Sequence, residues 1–462
     1  MDQEKQYDCL VIGAGMSGLA AAIRLSMFGK KVALLESHTV PGGLNSYYQR
    51  GKRQFDVGLH ALTNFIDKGE KGRPLSKIIK QLRIPYSDFK LVPQKRSRIA
   101  FKEVDLYFNN DIEFFKQDIR VKFPNQIDGF EKLCSFLEQF NETDLNNPYE
   151  SARKKVSEFI SDPLLAEMIF CPLLIYGSAW EHDMDLSQFA IMFKSIFVEG
   201  FSRPEGGVRT IINLLIEKLQ QNGLDISYKH RVEKINIENG KATGVTLASG
   251  EVLSAKKILS SAGLPETLKM TGNKKELPET GKMTFTESIL MLDKKPSQIG
   301  IEDTIIFYNE SNKYDYRNPG TYFDKTSAVV CFPNNFQTDE FEEGICRVTM
   351  MADFEHWSRL ERKDYLSLKS EVADVSLELM NKFSTDKTAN ILFKDVFTPT
   401  TIKRYTNHLG GCVYGSPEKA RTGETNIQGL FVIGTDQGFL GIIGAMLSGI
   451  SMANLHVLQG DA

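Results

Sequence analysis

The chain has 462 residues, of which 41% are hydrophobic and 25% charged, and its formal net charge is -3. This length leaves room for two or three compact units of about 150 residues each, and it excludes a peptide or a disulfide-stabilised miniprotein. The ordinary hydrophobic content and near-neutral charge disfavour a chain disordered throughout and a strongly basic surface, so no nucleic-acid partner is expected.

The cysteines and the first residues indicate the compartment. The six cysteines are scattered and form no Cys-x-x-Cys pair or clustered ligand set, which predicts reduced, structural thiols and no metal site. The opening MDQEKQYD lacks the basic start and small-residue cleavage site of a secretory signal, so we predict a cytoplasmic protein. Two apolar stretches, residues 9–23 and 430–450, could pass for membrane spans by length. Several glycines interrupt both, and the motifs below explain them better.

The first motif is a strand, a glycine turn and a helix. Residues 9–12 are a short apolar run, G-A-G-M-S-G follows at 13–18, and an alanine-rich helical stretch ends near Gly29. A second predicted strand, residues 31–35, leads into Glu36. The acid lies about 20 residues beyond the glycines, as in the dinucleotide-binding fingerprint.

Each residue of this fingerprint has a physical role. Gly13 permits the tight turn, Gly15 lets a diphosphate approach the backbone, and Gly18 lets the helix pack close to the strand. The helix N-terminus offers unpaired N–H groups to phosphates, and Glu36 can accept hydrogen bonds from ribose hydroxyls. FAD and NAD share the fingerprint, but a second glycine pair at 42–43, directly after the ribose acid, favours FAD.

Three segments at the start of the chain carry a resemblance to a known family. They are the motif at 13–18, Glu36 with P-G-G at 41–43, and F-D-V-G at 55–58. They resemble the opening of the FAD-dependent phytoene desaturase, carotenoid isomerase and retinol saturase family, within the wider flavin amine oxidase superfamily. Many of those relatives have arginine after the glycine pair, where this chain has Leu44. That departure removes one possible phosphate contact and favours the saturase-like branch over the amine oxidases.

A helix and a β-meander are predicted in the middle of the chain. R-P-E-G-G at 203–207 is a turn signal, and apolar residues then recur at helical spacing up to Gly223. Strand-like runs follow, separated by Asn-Gly at 239–240 and Ser-Gly at 249–250, which are typical of hairpin turns. The block resembles the family's proline-glycine-glycine helix and meander, and by that resemblance the backbone near Val232 contacts the adenine. The alternative is a helix and hairpin without a ligand.

Another strand, glycine loop and helix closes the chain. G-L-F-V-I-G-T-D at 429–436 continues through further glycines into the last predicted helix. The N-terminal amides of that helix could bind the FAD phosphate or the flavin edge, and Asp436 could hydrogen-bond the ribityl chain. The segment resembles the family's closing motif, in a form closer to retinol saturases than to many bacterial phytoene desaturases.

These blocks together predict an α/β fold with a Rossmann-type FAD-binding domain, glutathione reductase-like as in the amine oxidase superfamily, and a discontinuous α+β substrate domain. We expect the FAD-binding domain in segments 1–84, 203–269 and 396–462, and the substrate domain in segments 85–202 and 270–395. The predicted FAD contacts are Gly13, Ala14, Gly15, Met16, Ser17, Gly18, Glu36, Ser37, Gly42, Gly43, Leu44, Gly58, His60, Val232, Gly434, Asp436, Gly441, Ile442 and Ile443.

Two apolar helical faces lie within the first substrate segment. One contains Leu164, Leu165, Met168 and Ile169, and the other contains Phe189, Met192, Phe193, Ile196 and Phe197. Each face has three alternative roles: it packs in the hydrophobic core, lines an apolar tunnel or contacts a bilayer.

The resemblance implies an FAD-dependent oxidoreductase that acts on carbon–carbon double bonds of a polyene or isoprenoid lipid. Desaturation, isomerisation and saturation by hydride transfer to or from the flavin all remain open. The acid–base candidates are His60, Tyr405 and His408, with Glu199 as a further group. Because such substrates partition into bilayers, we expect peripheral contact with the inner face of a membrane. A flavin amine oxidase and a non-catalytic flavoprotein lipid carrier remain alternatives, and the oligomeric state is left open.

Overall fold

The structure is a computed structural model, and it describes residues 6–58, 60–272, 277–338 and 341–459. The first five residues of the segment used above to predict localisation therefore lie outside the described residues. The strands in chain order are β1 (Gln6–Ile12), β2 (Val32–Leu35), β3 (Tyr47–Arg50), β4 (Arg53–Asp56), β5 (Leu91–Pro93), β6 (Ser97–Ala100), β7 (Asp105–Phe108), β8 (Ser202–Pro204), β9 (Ile226–Ser227), β10 (Val232–Glu238), β11 (Lys241–Leu247), β12 (Val252–Ser260), β13 (Thr284–Leu292), β14 (Ile305–Asn309), β15 (Ser327–Cys331), β16 (Gly344–Ala352), β17 (Ile391–Phe397) and β18 (Leu430–Val432).

The helices occupy the segments between these strands. In chain order they are α1 (Met16–Ser26), α2 (Pro74–Leu82), α3 (Ile112–Lys122), α4 (Ile127–Gln139), α5 (Ala152–Val156), α6 (Pro163–Gly177), α7 (Leu186–Phe193), α8 (Val208–Gln221), α9 (Leu264–Met270), α10 (Phe354–Ser358), α11 (Arg362–Phe383), α12 (Pro399–Thr406) and α13 (Gly441–Ala453). A π-helical stretch prolongs α7 over Lys194–Val198 and another prolongs α13 over Asn454–Leu458.

The first sheet has the strand order β10-β11-β12-β1-β2-β9, and β18 pairs with the second half of β12. The strands β12, β1, β2, β9 and β18 run parallel, whereas β10, β11 and β12 form an antiparallel meander. β2 is buried along its whole length, as expected of a parallel strand covered on both faces. Helices α1, α2, α8 and α13 pack on one face of this sheet. The predicted Rossmann-type α/β architecture is confirmed.

The hairpin turn between β10 and β11 has the backbone conformation that its sequence predicts. Asn239 and Gly240 both have positive φ, at 51° and 77°. A two-residue turn with φ above zero at both positions is type I′, the geometry that matches the twist of paired strands. The Asn-Gly dipeptide therefore sets the pairing of Glu238 with Lys241 at the end of this hairpin.

The second sheet has the order β17-β13-β16-β15-β14-β6-β7 and is antiparallel except for the β14–β6 pair. One face packs against α11 through a cluster that includes Leu290, Val348 and Leu379. The opposite face packs against the helices between β7 and β8. The strand β17 continues past the domain boundary expected at residue 395.

The two predicted apolar helical faces have different surroundings. Leu165, Met168 and Ile169 on α6 are fully buried in the core. On α7, by contrast, Met192 and Phe193 also line the cavity described below. Core packing accounts for the first face, and the second face combines core packing with cavity lining.

One helix among the described residues, Gly441–Leu458, is long and apolar enough to cross a membrane. It is 56% buried, and it packs closely along α1, where a Cβ at Gly449 would collide with the carbonyl oxygen of Ser17. This packing is that of a core helix. All six cysteines are free thiols, as predicted.

Candidate active site

A cavity of about 2720 Å³ lies between the glycine loops of the first sheet and the inner face of the second. Pockets that hold one drug-sized molecule enclose about 300–1000 Å³. The cavity therefore has room for an extended dinucleotide cofactor and a second ligand.

Most of the residues that the sequence predicted line this cavity. They are Gly13, Gly15, Met16, Ser17, Glu36, Ser37, Gly42, Gly43, Leu44, Gly58, His60, Val232, Tyr405, His408, Gly434, Asp436, Gly441 and Ile442, and Glu199 lines it as well.

Three predicted contacts, Ala14, Gly18 and Ile443, are not among the residues that line this cavity, and their contacts with FAD stay predictions. Ala14 and Ile443 are fully buried, Ile443 within the core between the sheet and its helices. Gly18 faces the first strand, and a Cβ there would collide with the carbonyl oxygen of Gly13. Gly18 on α1 and Ile443 on α13 lie on the sides of these helices that pack against the rest of the domain. Ala14 precedes α1, and its backbone bonds to Glu36 and Gly42.

The two glycine loops meet at the N-terminus of α1. A Cβ at Gly15 would meet no atom within 4 Å, so its open side faces the cavity. A Cβ at Gly43 would lie 3.5 Å from the Cα of Gly15, and the amide of Gly42 donates to the carbonyl of Ala14 at 2.9 Å. The two loops thus bring a bare backbone and the positive end of a helix dipole together, which suits a diphosphate.

Glu36 lies at the end of β2, beside this cradle, and is 9% exposed. Its Oε2 accepts a hydrogen bond from the amide of Ala14, and its Oε1 accepts one from the amide of His38, both at 2.8 Å. A carboxylate oxygen can accept two hydrogen bonds, so Oε2 retains capacity for a ribose hydroxyl.

The closing motif forms the opposite wall of the cradle. Gly434 has a φ of +84°, and its amide donates to Oγ of Ser448 at 2.7 Å. Asp436 is 1% exposed and accepts hydrogen bonds from the amides of Leu264 and Ser416, at 2.6 and 2.8 Å. This carboxylate ties three chain segments together, and its contact with a ribityl chain stays a prediction.

A buried charge cluster lies on the inner wall, toward the second sheet. Nε of Arg347 donates to Oε1 of Glu287 at 2.6 Å. Nε2 of His60 is 3.6 Å from the same oxygen and 2.9 Å from Oγ1 of Thr349. Burial alone would raise the pKa of Glu287, but the charge of Arg347 and hydrogen bonds from His60 and Arg347 outweigh it and lower the pKa to about 2. Glu287 is therefore ionised at neutral pH, beside the His60 ring.

Strand register assembles this cluster. Thr349 on β16 is directly opposite Glu287 on β13, and Arg347 lies two positions along β16, on the same face. Sequence reasoning missed both Glu287 and Arg347. The available signal was a charged residue within the apolar run of residues 284–292, since a charge inside a buried strand is rare unless it is paired.

The wall around His60 is otherwise mainly apolar. Ile175, Phe285 and Val329 line it together with the rings of Tyr176 and Tyr414. The Tyr414 hydroxyl donates to the carbonyl of Ile175, whereas the buried Tyr176 hydroxyl has no hydrogen-bond partner among the described residues. Burial raises the pKa of Tyr176 well above its ordinary value, so its hydroxyl stays neutral.

A second carboxyl group lines the cavity at Glu199. Burial raises its pKa to about 7, although a hydrogen bond from Asn64 and the charge of Arg73 oppose the shift. Nδ2 of Asn64 donates to Oε2 of Glu199 at 2.8 Å, and Nη1 of Arg73 is 3.7 Å from Oε1. Thr63, next to Asn64, lies near the start of α13, where a Cβ at Gly441 would be 3.7 Å from its Oγ1. Because its pKa is about 7, Glu199 can exchange a proton near neutral pH.

The three predicted acid–base residues do not converge on one point. Nδ1 of His408 is 3.6 Å from Oε1 of Glu266. Tyr405 is 49% exposed, and its ring packs edge-on against His38, with centroids 5.2 Å apart. Tyr405 thus lies at the ribose-acid end of the cavity, whereas His60 lies in the buried cluster. The catalytic roles of all three stay predictions.

The residues present fit FAD. The open side of Gly15 and the glycine pair at 42–43 form a diphosphate cradle, the carboxylate of Glu36 lies at the ribose end, and α13 begins at the cavity wall. The remaining volume extends toward His60, where an isoalloxazine ring would meet a second ligand.

Comparisons with known proteins agree with this geometry. The family model of flavin containing amine oxidoreductases matches residues 16–455. A chloroplastic prolycopene isomerase from Daucus carota is 26% identical over 98% of this chain and 80% of its own length. A 4,4'-diaponeurosporene oxygenase from Staphylococcus aureus is 22% identical over 88% of this chain and 87% of its own.

Solved structures share the fold. An oxidoreductase from Methanosarcina mazei superposes with a TM-score of 0.67, at 17% identity, over 96% of this chain and 99% of its own. Cyclohexylamine oxidase from Brevibacterium oxydans gives a TM-score of 0.65 at 14% identity, over 99% and 100% of the two chains. The chain therefore belongs to the family of flavin-containing amine oxidoreductases, and its cofactor is FAD.

Proposed function

We propose that this protein acts on the carbon–carbon double bonds of a polyene or isoprenoid lipid, with cis–trans isomerisation as its first candidate reaction. The observation that carries the proposal is the mainly apolar wall beyond the FAD cradle, in which the Glu287 carboxylate is already neutralised by Arg347. The similarity to prolycopene isomerases, over 98% of this chain, supports the same substrate class.

The chain's own residues would position and shield such a substrate. Phe285 and Val329 offer dispersion contacts to a ligand that has no polar group to recognise. The Glu287 carboxylate and the Thr349 hydroxyl hold the His60 ring at the wall. When bound, FAD supplies exchange of electrons or a hydride with the double-bond system. His60 and Glu199 are the groups that would donate or accept a proton at this cavity.

Peripheral membrane contact is part of this proposal. Leu145, Leu366 and Leu455 both line the cavity and are exposed to solvent. Apolar side chains at the cavity edges would let a lipid pass from a bilayer without crossing water. Flotation of the purified protein with liposomes tests this contact, and recovery of all protein in the soluble fraction would count against it.

A panel of polyenes tests the reaction. The oxidised and the reduced enzyme are incubated anaerobically with poly-cis carotenoids, phytoene and retinol, and the products are analysed by chromatography and mass spectrometry. Isomerisation leaves the mass unchanged and shifts the retention time. Loss of two hydrogens indicates desaturation with reduction of the flavin, and gain of two hydrogens indicates saturation with its oxidation.

The polyene assay needs a flavin-free control, and two other results would support different functions. A Gly15→Val variant, purified without flavin, accounts for spontaneous isomerisation. If no polyene changes, hydrogen peroxide release from an amine panel would support an amine oxidase instead. Binding of a polyene without product or flavin spectral change would support a lipid carrier.

A further inference from the structure

Arg209 lies in the first turn of α8, on the cavity wall, and no carboxylate among the described residues pairs with its charge. Its guanidinium carbon is 4.3 Å from the ring centroid of Tyr47. Its Nε is buried without a hydrogen bond, and its guanidinium makes no ion pair with any residue that the structure describes. Arg98, Arg153 and Arg421, also partly buried, each pair with a carboxylate. An unpaired, partly desolvated guanidinium is costly, so this side chain points to an anionic ligand.

The position of α8 directs Arg209 toward the cradle. Ile212, one turn further along the same helix face, is so close to the second glycine pair that a Cβ at Gly42 would lie 2.7 Å from its Cδ1. The nearby carboxylate of Asp56 is already engaged by Arg203 and by the amide of Val208. No acidic side chain of the described residues is therefore bonded to Arg209.

We propose that Arg209 binds a phosphoryl oxygen of the FAD diphosphate and supplies the positive side chain of the cradle. The two glycine loops provide amides and a helix dipole, and Leu44, directly after the second pair, offers no charge. A guanidinium matches phosphate oxygens in charge and geometry. The Tyr47 ring holds its plane in place through a cation–π contact. This inference rests on the FAD cofactor and is independent of the substrate.

The test is the affinity of the flavin-stripped full chain for FAD and for riboflavin, which lacks the diphosphate. Arg209→Met keeps an apolar stem over Tyr47 and removes the charge, and Arg209→Lys keeps the charge. We expect Arg209→Met to weaken FAD binding about 10- to 100-fold, since a hydrogen bond to a charged group contributes about 1.5–3 kcal/mol. Riboflavin affinity should not change, and Arg209→Lys should retain part of the FAD affinity.

Two further variants separate binding from folding. Lys218→Ala removes a positive charge from the same helix outside the cavity and should leave FAD affinity unchanged. Leu44→Arg, combined with Arg209→Met, should restore part of the affinity by placing a guanidinium beside Gly43. The thermal unfolding midpoint of flavin-free Arg209→Met should equal or exceed that of the flavin-free parent protein, because an uncompensated charge is removed. The proposal is overturned if Arg209→Met binds FAD as tightly as the parent does, or if its affinity for riboflavin falls as much as its affinity for FAD. It is also overturned if the flavin-free variant unfolds at a lower temperature than the flavin-free parent.

Discussion

Glu287 and Arg347 form an ion pair, with Nε of Arg347 2.6 Å from Oε1 of Glu287, and both residues are buried where the second sheet meets the cavity. They lie on the neighbouring antiparallel strands β13 and β16. Arg347 is two residues away from Thr349, the residue directly opposite Glu287. Glu287 faces the cavity, and Arg347 lies behind it. The pair thus anchors a charge in a mainly apolar wall and fixes the surroundings of His60.

Breaking this pair should destabilise the protein strongly. Glu287→Gln leaves Arg347 buried without its counter-charge, and we expect a loss of about 3–5 kcal/mol in the free energy of unfolding. Because the folded pKa of Glu287, about 2, lies below its ordinary value of 4.5, this contribution is present above the ordinary pKa. It is lost as pH falls toward 2. Urea unfolding at neutral and acid pH measures the difference.

The matched control is the exposed pair of Arg359 and Glu355, whose atoms are 3.0 Å apart. Glu355→Gln should change stability by less than about 1 kcal/mol, because water screens exposed charges. Equal stability of Glu287→Gln and the parent protein at neutral pH would contradict the assigned role of the buried pair.

Substitutions at the glycines of the first motif should separate cofactor binding from folding. Gly15→Val places its side chain in open cavity, so the protein should fold and lose FAD. Gly18→Val drives a side chain into the Gly13 carbonyl, so the fold itself should lose about 1–3 kcal/mol or more. Flavin absorbance per protein and thermal unfolding of the flavin-free forms distinguish the two effects. Stoichiometric FAD in Gly15→Val would refute the cradle assignment.

Substitution of Glu36, the predicted ribose-binding carboxylate, should weaken FAD binding less than Gly15→Val does. Glu36→Ala removes an acceptor for the ribose and also the partner of the Ala14 amide. We expect weaker FAD binding, by about tenfold, rather than complete loss. Equilibrium titration of the flavin-stripped variant measures it, with Glu217→Ala on the outer side of α8 as the control. Unchanged affinity in Glu36→Ala would place the ribose elsewhere.

The N-terminal part of the cradle was predictable because its glycines and its acid lie close together in sequence. The glycines at 13–18, the acid at the end of β2 and the second glycine pair all lie between residues 13 and 43, along one strand–helix–strand unit and the loop that follows it, so local spacing determines where they meet. Such units leave a recognisable pattern because backbone conformation itself requires the glycines.

The inner wall was not predictable in the same way. Glu287 meets Arg347 only through the register of β13 and β16, and no local pattern encodes which strands of a seven-stranded sheet are neighbours. The sequence identified Tyr405 as an acid–base candidate, but α12 places its ring at His38. Arg209 was overlooked because one arginine in an amphipathic helix resembles any solvated charge. Only the structure shows that none of the described carboxylates pairs with it.

The positions of His60 and Tyr405 predict different losses of activity. His60→Gln removes the ring beside Glu287 and should lower the turnover number per bound flavin about 10²- to 10⁴-fold if it transfers a proton. Tyr405→Phe should lower turnover only a few-fold, since the hydroxyl lies at the ribose end. Product formation from the active polyene, normalised to bound flavin, measures both. A larger loss in Tyr405→Phe would reverse the assignment.

Glu199 should give the protein a pH dependence near neutrality. Its folded pKa of about 7 exceeds the ordinary value of 4.5, so the folded state holds the proton more tightly than the unfolded chain. Stability is therefore greatest below the ordinary pKa and falls as pH rises to about 7, by on the order of 2–3 kcal/mol. Glu199→Gln has no proton to lose and should show no such fall. Urea unfolding across this range, with exposed Glu217→Gln as control, measures the contrast.

The neighbours of Glu199 extend the test to the reaction. Arg73→Gln removes a positive charge 3.7 Å away, which should raise the pKa of Glu199 further and move the stability transition to higher pH. If Glu199 donates the proton, the alkaline limb of the turnover profile should move in the same direction and disappear in Glu199→Gln. A turnover limb that stays in place while the stability transition moves would make Glu199 a structural carboxyl and leave proton transfer to His60.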